Sequence, residues 1–290
     1  MAAILNNSLG FLPVQSVIDG VHMNQITAAV MVLMLSFFAT CVQAVELRLG
    51  VDPVNAPGIM EKELRPMLDS MRREYALQYV PSRATKEIIQ QARSGQINCA
   101  YVSLGYAYLL QQLGFVPVLV SEEVVTLALV GKPNLDLAVA KQNSDQSLYY
   151  VKNDLFAMFK FYQGKKQVKW AAQAVPSMTS ENIMFKLLKE PASLGFIMGD
   201  ELGLLHKVMR DNLMVYQTED IGPVYFLVHK ELVGKSPEIR ENFLKFHEEF
   251  KDTNHKYNYL RIYHFKAHAG HVIEIDKDYK TFLNNTLYSN

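Results

Sequence analysis

The stretch Ile88-Ile89-Gln90-Gln91-Ala92-Arg93-Ser94-Gly95-Gln96-Ile97-Asn98-Cys99-Ala100 holds a helix end, a stop and a strand start in close succession. Thr85 is placed to cap a helix running through Ala92, Ser94-Gly95 ends it, and Ile97–Ser103 reads as a strand. Downstream, Tyr106–Leu113 is helical up to Gly114, and Val116–Val120 and Val124–Val130 are near-continuous apolar runs. Such runs suit strands covered on both faces, as in a parallel sheet. Upstream, Glu46–Val51 (ELRLGV) alternates polar and apolar, and Asp52-Pro53 breaks it. Ile59–Tyr75 sets Leu64, Met67, Leu68 and Met71 at helical spacing, and Leu77–Val80 is a short strand. Strand–helix–strand units of this length predict right-handed crossovers in an α/β sheet.

A second set of elements follows Gly131-Lys132-Pro133. Strands are expected at Leu135–Ala140, Val168–Val175, Leu194–Met198, Leu213–Gln217 and Val224–His229. Helices are expected at Asp154–Tyr162, from Ser180 as cap to Lys189, and at Glu201–Met209. A further helix starts at Ser236-Pro237-Glu238, with Ser as cap, Pro in the first turn and an acid near the positive end of the dipole.

The chain has 290 residues, 49% of them hydrophobic and 20% charged, enough for two domains with real cores. Its 29 basic residues match 29 acidic ones, so no long-range field attracts nucleic acid or an anionic membrane. The two cysteines, Cys41 and Cys99, form neither a metal spacing nor a disulfide framework.

Near the N-terminus, Ala28–Ala39 (AAVMVLMLSFFA) has the length of a signal-peptide core, and Val42-Gln43-Ala44 ends it with a cleavage-like site. A cleaved signal, with Met23 as an alternative start, predicts export to the periplasm and a mature chain beginning at Val45. The first 44 residues carry no Lys or Arg. An uncleaved anchor over Ala28–Val45 is one alternative reading, and a lipid-anchored start at Cys41 is a weaker one, since Phe38-Ala39-Thr40 matches poorly what precedes a lipidated cysteine.

Three pieces together resemble the substrate-binding proteins of phosphonate and phosphate-type ABC importers, the PhnD-like group of the type 2 periplasmic-binding fold. They are Leu47-Arg48-Leu49-Gly50-Val51 with the Pro-bearing loop and amphipathic helix after it, the stretch Ile88–Ala100, and Ile221-Gly222-Pro223-Val224. The resemblance covers most of residues 46–250. It implies an α/β, two-lobed fold, each lobe a mixed, mostly parallel sheet flanked by helices. Lobe one would be 45–126 with 226–275, lobe two 127–225, after an N-terminal extension and signal at 1–44 and before a C-terminal tail at 276–290. The return strand Val224–His229 would then join the sheet of Glu46–Val51. The implied role is capture of a small polar or anionic ligand between the lobes, by a monomer without cofactor that serves an ABC permease. A membrane sensor is the alternative partner. The family pattern is broken at Asn98, where an Asp is usual, at Gln142–Ser147, where Asp145 intrudes, and at Val175–Ser180, where a His is missing.

Ligands in such folds lie at the carboxyl ends of strands, where helix N-termini converge. The candidate binding residues are therefore Thr85, Tyr101, Ser103, Tyr106, Ser144, Thr179 and Asp200, with Ser103 and Tyr106 facing Thr179 and Asp200 across the gap. Capping is the competing role for Thr85, Ser103 and Ser180. His264, His268 and His271 would share a face if their segment were helical, the basis of a metal or enzymatic alternative. The sequence contains no Gly-x-Ser-x-Gly elbow, no His-Glu-x-x-His and no Gly-rich phosphate loop.

Overall fold

A computed structural model describes residues 45–54, 56–167, 170–204, 207, 211–250 and 264–288. The expected signal at 1–44 and the side chain of Asp200 lie outside the described residues. Among those described, no helix is long and apolar enough to cross a membrane.

The first lobe is built on a six-stranded sheet. Its strands are β1 (Glu46–Val51), β2 (Ala76–Tyr79), β3 (Cys99–Ser103), β4 (Phe115–Ser121), β10 (Val224–His229) and β11 (Phe265–Ala267), in the order β11-β4-β10-β3-β1-β2. β1 pairs in parallel with β2 and β3, whereas β10 runs antiparallel between β3 and β4. The return strand thus joins the sheet of Glu46–Val51. Helix α1 (Pro57–Met71) begins with Pro in its first turn and buries Met60, Leu64, Met67, Leu68 and Met71 along one face. Helices α2 (Thr85–Arg93) and α3 (Leu104–Gln111) complete the first half of this lobe. In its core, Phe226 lies 4.8 Å from Phe243 by ring centroids.

The second sheet holds β5 (Val125–Gly131), β6 (Ser147–Val151), β7 (Gln173–Ser177), β8 (Leu194–Met198) and β9 (Met214–Gly222), in the order β7-β6-β8-β5-β9. β6 is parallel to β7 and β8, and only β5 opposes the rest. The apolar run of β5 therefore reports burial on both faces and not parallel neighbours. Its helices are α4 (Leu137–Gln142), α5 (Leu155–Lys166), α6 (Ser180–Lys189) and α7 (Gly199–Leu204).

One expectation is corrected here. Leu135–Ala140 is not a strand, because Asp136 accepts hydrogen bonds from the N–H groups of Ala138 (2.9 Å) and Val139 (3.2 Å) and so starts α4. The strand of this region is β6, which sits centrally with Leu148, Tyr149 and Val151 buried. The histidine-rich segment, where Gly270 and the β-like Val272-Ile273 already argue against a regular helix, is not helical. Phe265–Ala267 is an edge strand on β4, so His264 and His268 share no helix face. Among the described residues no group of three His, Cys, Asp or Glu side chains is placed to hold a metal ion.

The chain passes between the sheets at Glu122–Val124 and again at Pro223, and the two passages lie side by side. Val125 is in register with Gly222, and the Val224 N–H donates to Ser121 Oγ at 2.9 Å. Gly222 has φ +129°, and a Cβ there would come within 2.6 Å of Leu104. Glycine is needed on both counts. After the 3₁₀ turn Lys230–Lys235, helix α8 (Ser236–Phe250) buries Ile239, Phe243 and Phe246. The expected C-terminal tail carries α9 (Lys277–Tyr288), which touches both α3 and α5.

Candidate functional site

Where β1 and β3 end, the structure places a buried carboxylate. Asp52 directly follows β1 and is 4% exposed, and its Oδ2 accepts a hydrogen bond from the Ser103 N–H at 2.9 Å. Its Oδ1 has no partner among the described residues. Burial is the main force on this carboxyl and raises it to about 7; hydrogen bonds from Ser103 oppose the rise, and the like charge of Asp154 adds to it.

Tyr106 stands one turn into α3, 1% exposed. Its hydroxyl donates to the Asn153 carbonyl at 2.8 Å and lies 2.8 Å from Thr85 Oγ1. Thr85 is thus not the cap of α2: Ala84 holds that position without a side-chain bond, and the Thr85 hydroxyl turns to Tyr106 instead. Ser103 does occupy the cap position of α3 but makes no side-chain cap bond.

The second lobe answers through the turn after β6. Asn153 has φ +69°, a left-handed conformation that Asn tolerates better than most residues. Its side-chain amide donates to the Pro53 carbonyl at 2.9 Å and to the Arg83 carbonyl at 3.1 Å, so one residue grips two first-lobe loops. Beside it, Asp154 is 5% exposed and caps α5 by accepting from the N–H groups of Phe156 and Ala157, both at 3.0 Å. Val54, from the first-lobe loop, buries itself in the second lobe's core with Ala128, Val130, Tyr149, Ile183 and Ile197.

Helix α9 closes the back of this junction. Tyr279 is 3% exposed, with its ring 5.3 Å from Phe156 and 4.9 Å from Phe159. Burial pushes its hydroxyl well above the usual range, and Asp154 and Asp52 push it further. A Cβ at Gly105 would collide with that hydroxyl, so glycine lets α3 and α9 approach.

Two cavities flank these elements. One, of about 490 Å³, lies beside Tyr279 and Leu104 and is also lined by Glu219, Asp220, Asp276 and Asp278, with Lys160 the only basic residue. The other, about 610 Å³, is a groove within the second lobe lined by Leu127, Leu129, Lys141, Trp170 and Phe196, among others. It touches none of the strand ends at which the lobes meet. The smaller approaches the junction through Leu104, the residue after Ser103, and through Tyr279, but Asp52, Ser103, Tyr106 and Asn153 do not line it.

Of the residues singled out from sequence, Thr85, Ser103 and Tyr106 come together at the junction. Tyr101 is in the first lobe's core, its ring 5.8 Å from Phe265. Ser144 is exposed in the turn that leads into β6, at the opposite end of that strand. Thr179 caps α6, its Oγ1 accepting from the Asn182 N–H at 3.2 Å, while the Ser180 hydroxyl donates to Glu201. That reverses the expected division of labour between Thr179 and Ser180. Asp52, Asn153, Asp154 and Tyr279 were not singled out. Asp52 could have been found, since it is the first residue past a well-marked strand; Asn153 and Asp154 were hidden with β6.

No family model and no curated protein matches the sequence. Solved structures do match. PhnD1 from Prochlorococcus marinus in complex with methylphosphonate superposes with a TM-score of 0.61 at 12% identity, over 83% of this chain and 97% of that one. A binding protein component of an ABC phosphonate transporter from Pseudomonas aeruginosa gives 0.56 at 10% identity, over 78% and 82%. XAC2383 from Xanthomonas citri bound to chloride ion gives 0.55 at 13%, over 82% and 95%. At such identities the likeness is one of fold, and it establishes that this chain has the two-lobed α/β periplasmic-binding fold.

Proposed function

We propose that the chain is an exported, non-catalytic solute-binding protein that takes a small ligand between its lobes and presents it to an ABC permease. The observation that carries this reading is the junction at the ends of β1, β3 and β6. Asn153 there bridges two first-lobe loops, and a buried carboxylate keeps one oxygen without a partner. In open α/β sheets the carboxyl ends of strands are where ligands bind. A ligand that bonds to both lobes favours the closed arrangement in proportion to the contacts that closure adds. The signal-like Ala28–Ala44 supports export, and the fold supports the role by analogy.

A thermal-shift screen of the chain beginning at Val45 against a metabolite panel tests this. A true ligand at 100 times its Kd stabilises by about 2.7 kcal/mol. The shift should vanish in Asn153→Ala, which removes the second lobe's grip. A ligand that stabilises both proteins equally would place the site elsewhere.

A further inference from the structure

The described residues after 263 are rooted in the first lobe and take hold of the second. Phe265–Ala267 is the edge strand of the first sheet, the His268 N–H donates to the Val118 carbonyl at 3.0 Å, and the Ile273 N–H donates to Gln111 Oε1 at 3.0 Å. Asp276 then starts α9, its Oδ1 accepting from the N–H groups of Asp278 (2.8 Å) and Tyr279 (3.1 Å). Helical spacing puts Tyr279, Phe282 and Leu283 on one face, with Leu283 fully buried. The Phe282 ring lies 5.7 Å from Phe159 and 5.9 Å from Tyr162, and the Tyr279 ring packs on Phe156 and Phe159. These three partners are spaced three apart along α5, in the second lobe. On the other side, the Tyr279 hydroxyl fills the space over Gly105, and the Tyr108 hydroxyl donates to Asn284 Oδ1 at 3.4 Å. Both of those partners belong to α3, in the first lobe. Helix α9 thus ties the lobes at a third place, besides the two chain crossings.

Separation of the lobes is a turn about the crossings at Glu122–Val124 and Pro223. In such a turn β11 moves with the first sheet, and Phe156, Phe159 and Tyr162 move with the second, so α9 must leave either α5 or α3. The junction's own bonds, from the Asn153 amide to Pro53 and Arg83, resist the turn only weakly, because polar groups regain hydrogen bonds from water. The aromatic faces of α9 and α5 have no such replacement, and their exposure is costly. We propose that α9 is a strap that holds the two lobes together, and that opening requires Tyr279 to leave its socket between Gly105, Phe156 and Phe159. This goes beyond the solute-binding reading: whatever enters the junction is admitted only as the strap lets go.

The interlobe distance in the ligand-free chain beginning at Val45 tests the strap. Spin labels at Lys62→Cys in α1 and Glu181→Cys in α6, exposed positions on opposite lobes, report it by pulsed electron resonance. Cys99 is buried, and burial pushes its thiol far above the usual range, so it stays unlabelled. The parent should give one distance. Tyr279→Ala should add a longer one and raise the open-to-closed ratio about tenfold, while Tyr279→Phe, which keeps the ring, should match the parent. Phe282→Ala removes a ring whose contacts are with α5 and Tyr279, and should shift the ratio the same way by a smaller factor. It decides the matter if circular dichroism shows that Tyr279→Ala does not fold. A single unchanged distance in both alanine variants would overturn the strap, and so would two distances in the parent. No solute enters the measurement, so its outcome is separate from that of the thermal-shift screen.

Discussion

Replacing Asp52 with Asn should alter how stability depends on pH while leaving the fold intact. Asn keeps an oxygen for the Ser103 N–H, now 2.9 Å from Oδ2, and removes only the charge. In the native protein burial lifts this carboxyl from 3.8 to about 7. A carboxyl raised on folding keeps its proton in the native state after the unfolded chain has lost it, so stability falls as pH rises through that window. Below about pH 4 both states are protonated and the group contributes nothing; above about pH 7 the full penalty is present. A rise of about three units at about 1.4 kcal/mol per unit sets an upper value of about 4 kcal/mol, and relaxation around the charge leaves about 2–4 kcal/mol. Urea denaturation of the ligand-free protein at pH 4.5 and pH 8 reads this directly. About three quarters of that penalty develops between the two pH values, since the unfolded carboxyl is already mostly ionised at pH 4.5, so the wild type should lose about 1.5–3 kcal/mol relative to Asp52→Asn. Parallel pH profiles in the two proteins would refute the claim that a buried carboxyl titrates here.

Thr179→Ala should lower stability by about 1 kcal/mol through loss of the α6 cap and leave ligand affinity unchanged. Calorimetric melting together with titration checks this, and lost affinity at unchanged stability would move Thr179 into the site. Val54→Ala should lower stability by about 1–3 kcal/mol and loosen the contact between the lobes. Small-angle scattering of the ligand-free variant should give a larger radius of gyration, and an unchanged radius would contradict a bridging role for Val54.

How much of this was legible in the sequence depended on how local the deciding interaction was. The alternation of Glu46–Val51 and the apolar run Val224–His229 carry their own evidence, and both form strands over those residues. That they share a sheet follows from the chain's two passages, since Val124–Val130 leaves one sheet and only the segment after Pro223 returns to it. Leu135–Ala140 shows the opposite case. Its pattern suits a strand, but one carboxylate, Asp136, captures two backbone N–H groups and makes a helix of it. Ser147–Val151 looks unremarkable alone and is fixed by neighbours on both sides, β7 and β8. The site divided in the same way. Ser103 and Tyr106 could be placed because a strand end and a helix start are written around them. Tyr279 could not, because its position depends on Gly105 far earlier in the chain and on aromatic packing against Phe156 and Phe159.

The central claim is that a solute is held where the two lobes meet, on Asp52 from one side and the turn after β6 from the other. A crystal structure of the chain beginning at Val45, grown with the ligand that gives the largest thermal shift, tests it most directly. The account predicts ligand density where the ends of β1 and β3 meet the turn after β6, in contact with both Asp52–Pro53 and Lys152–Asp154. Density confined to the second-lobe groove beside Trp170, with Asp52 Oδ1 still unpartnered, would contradict it.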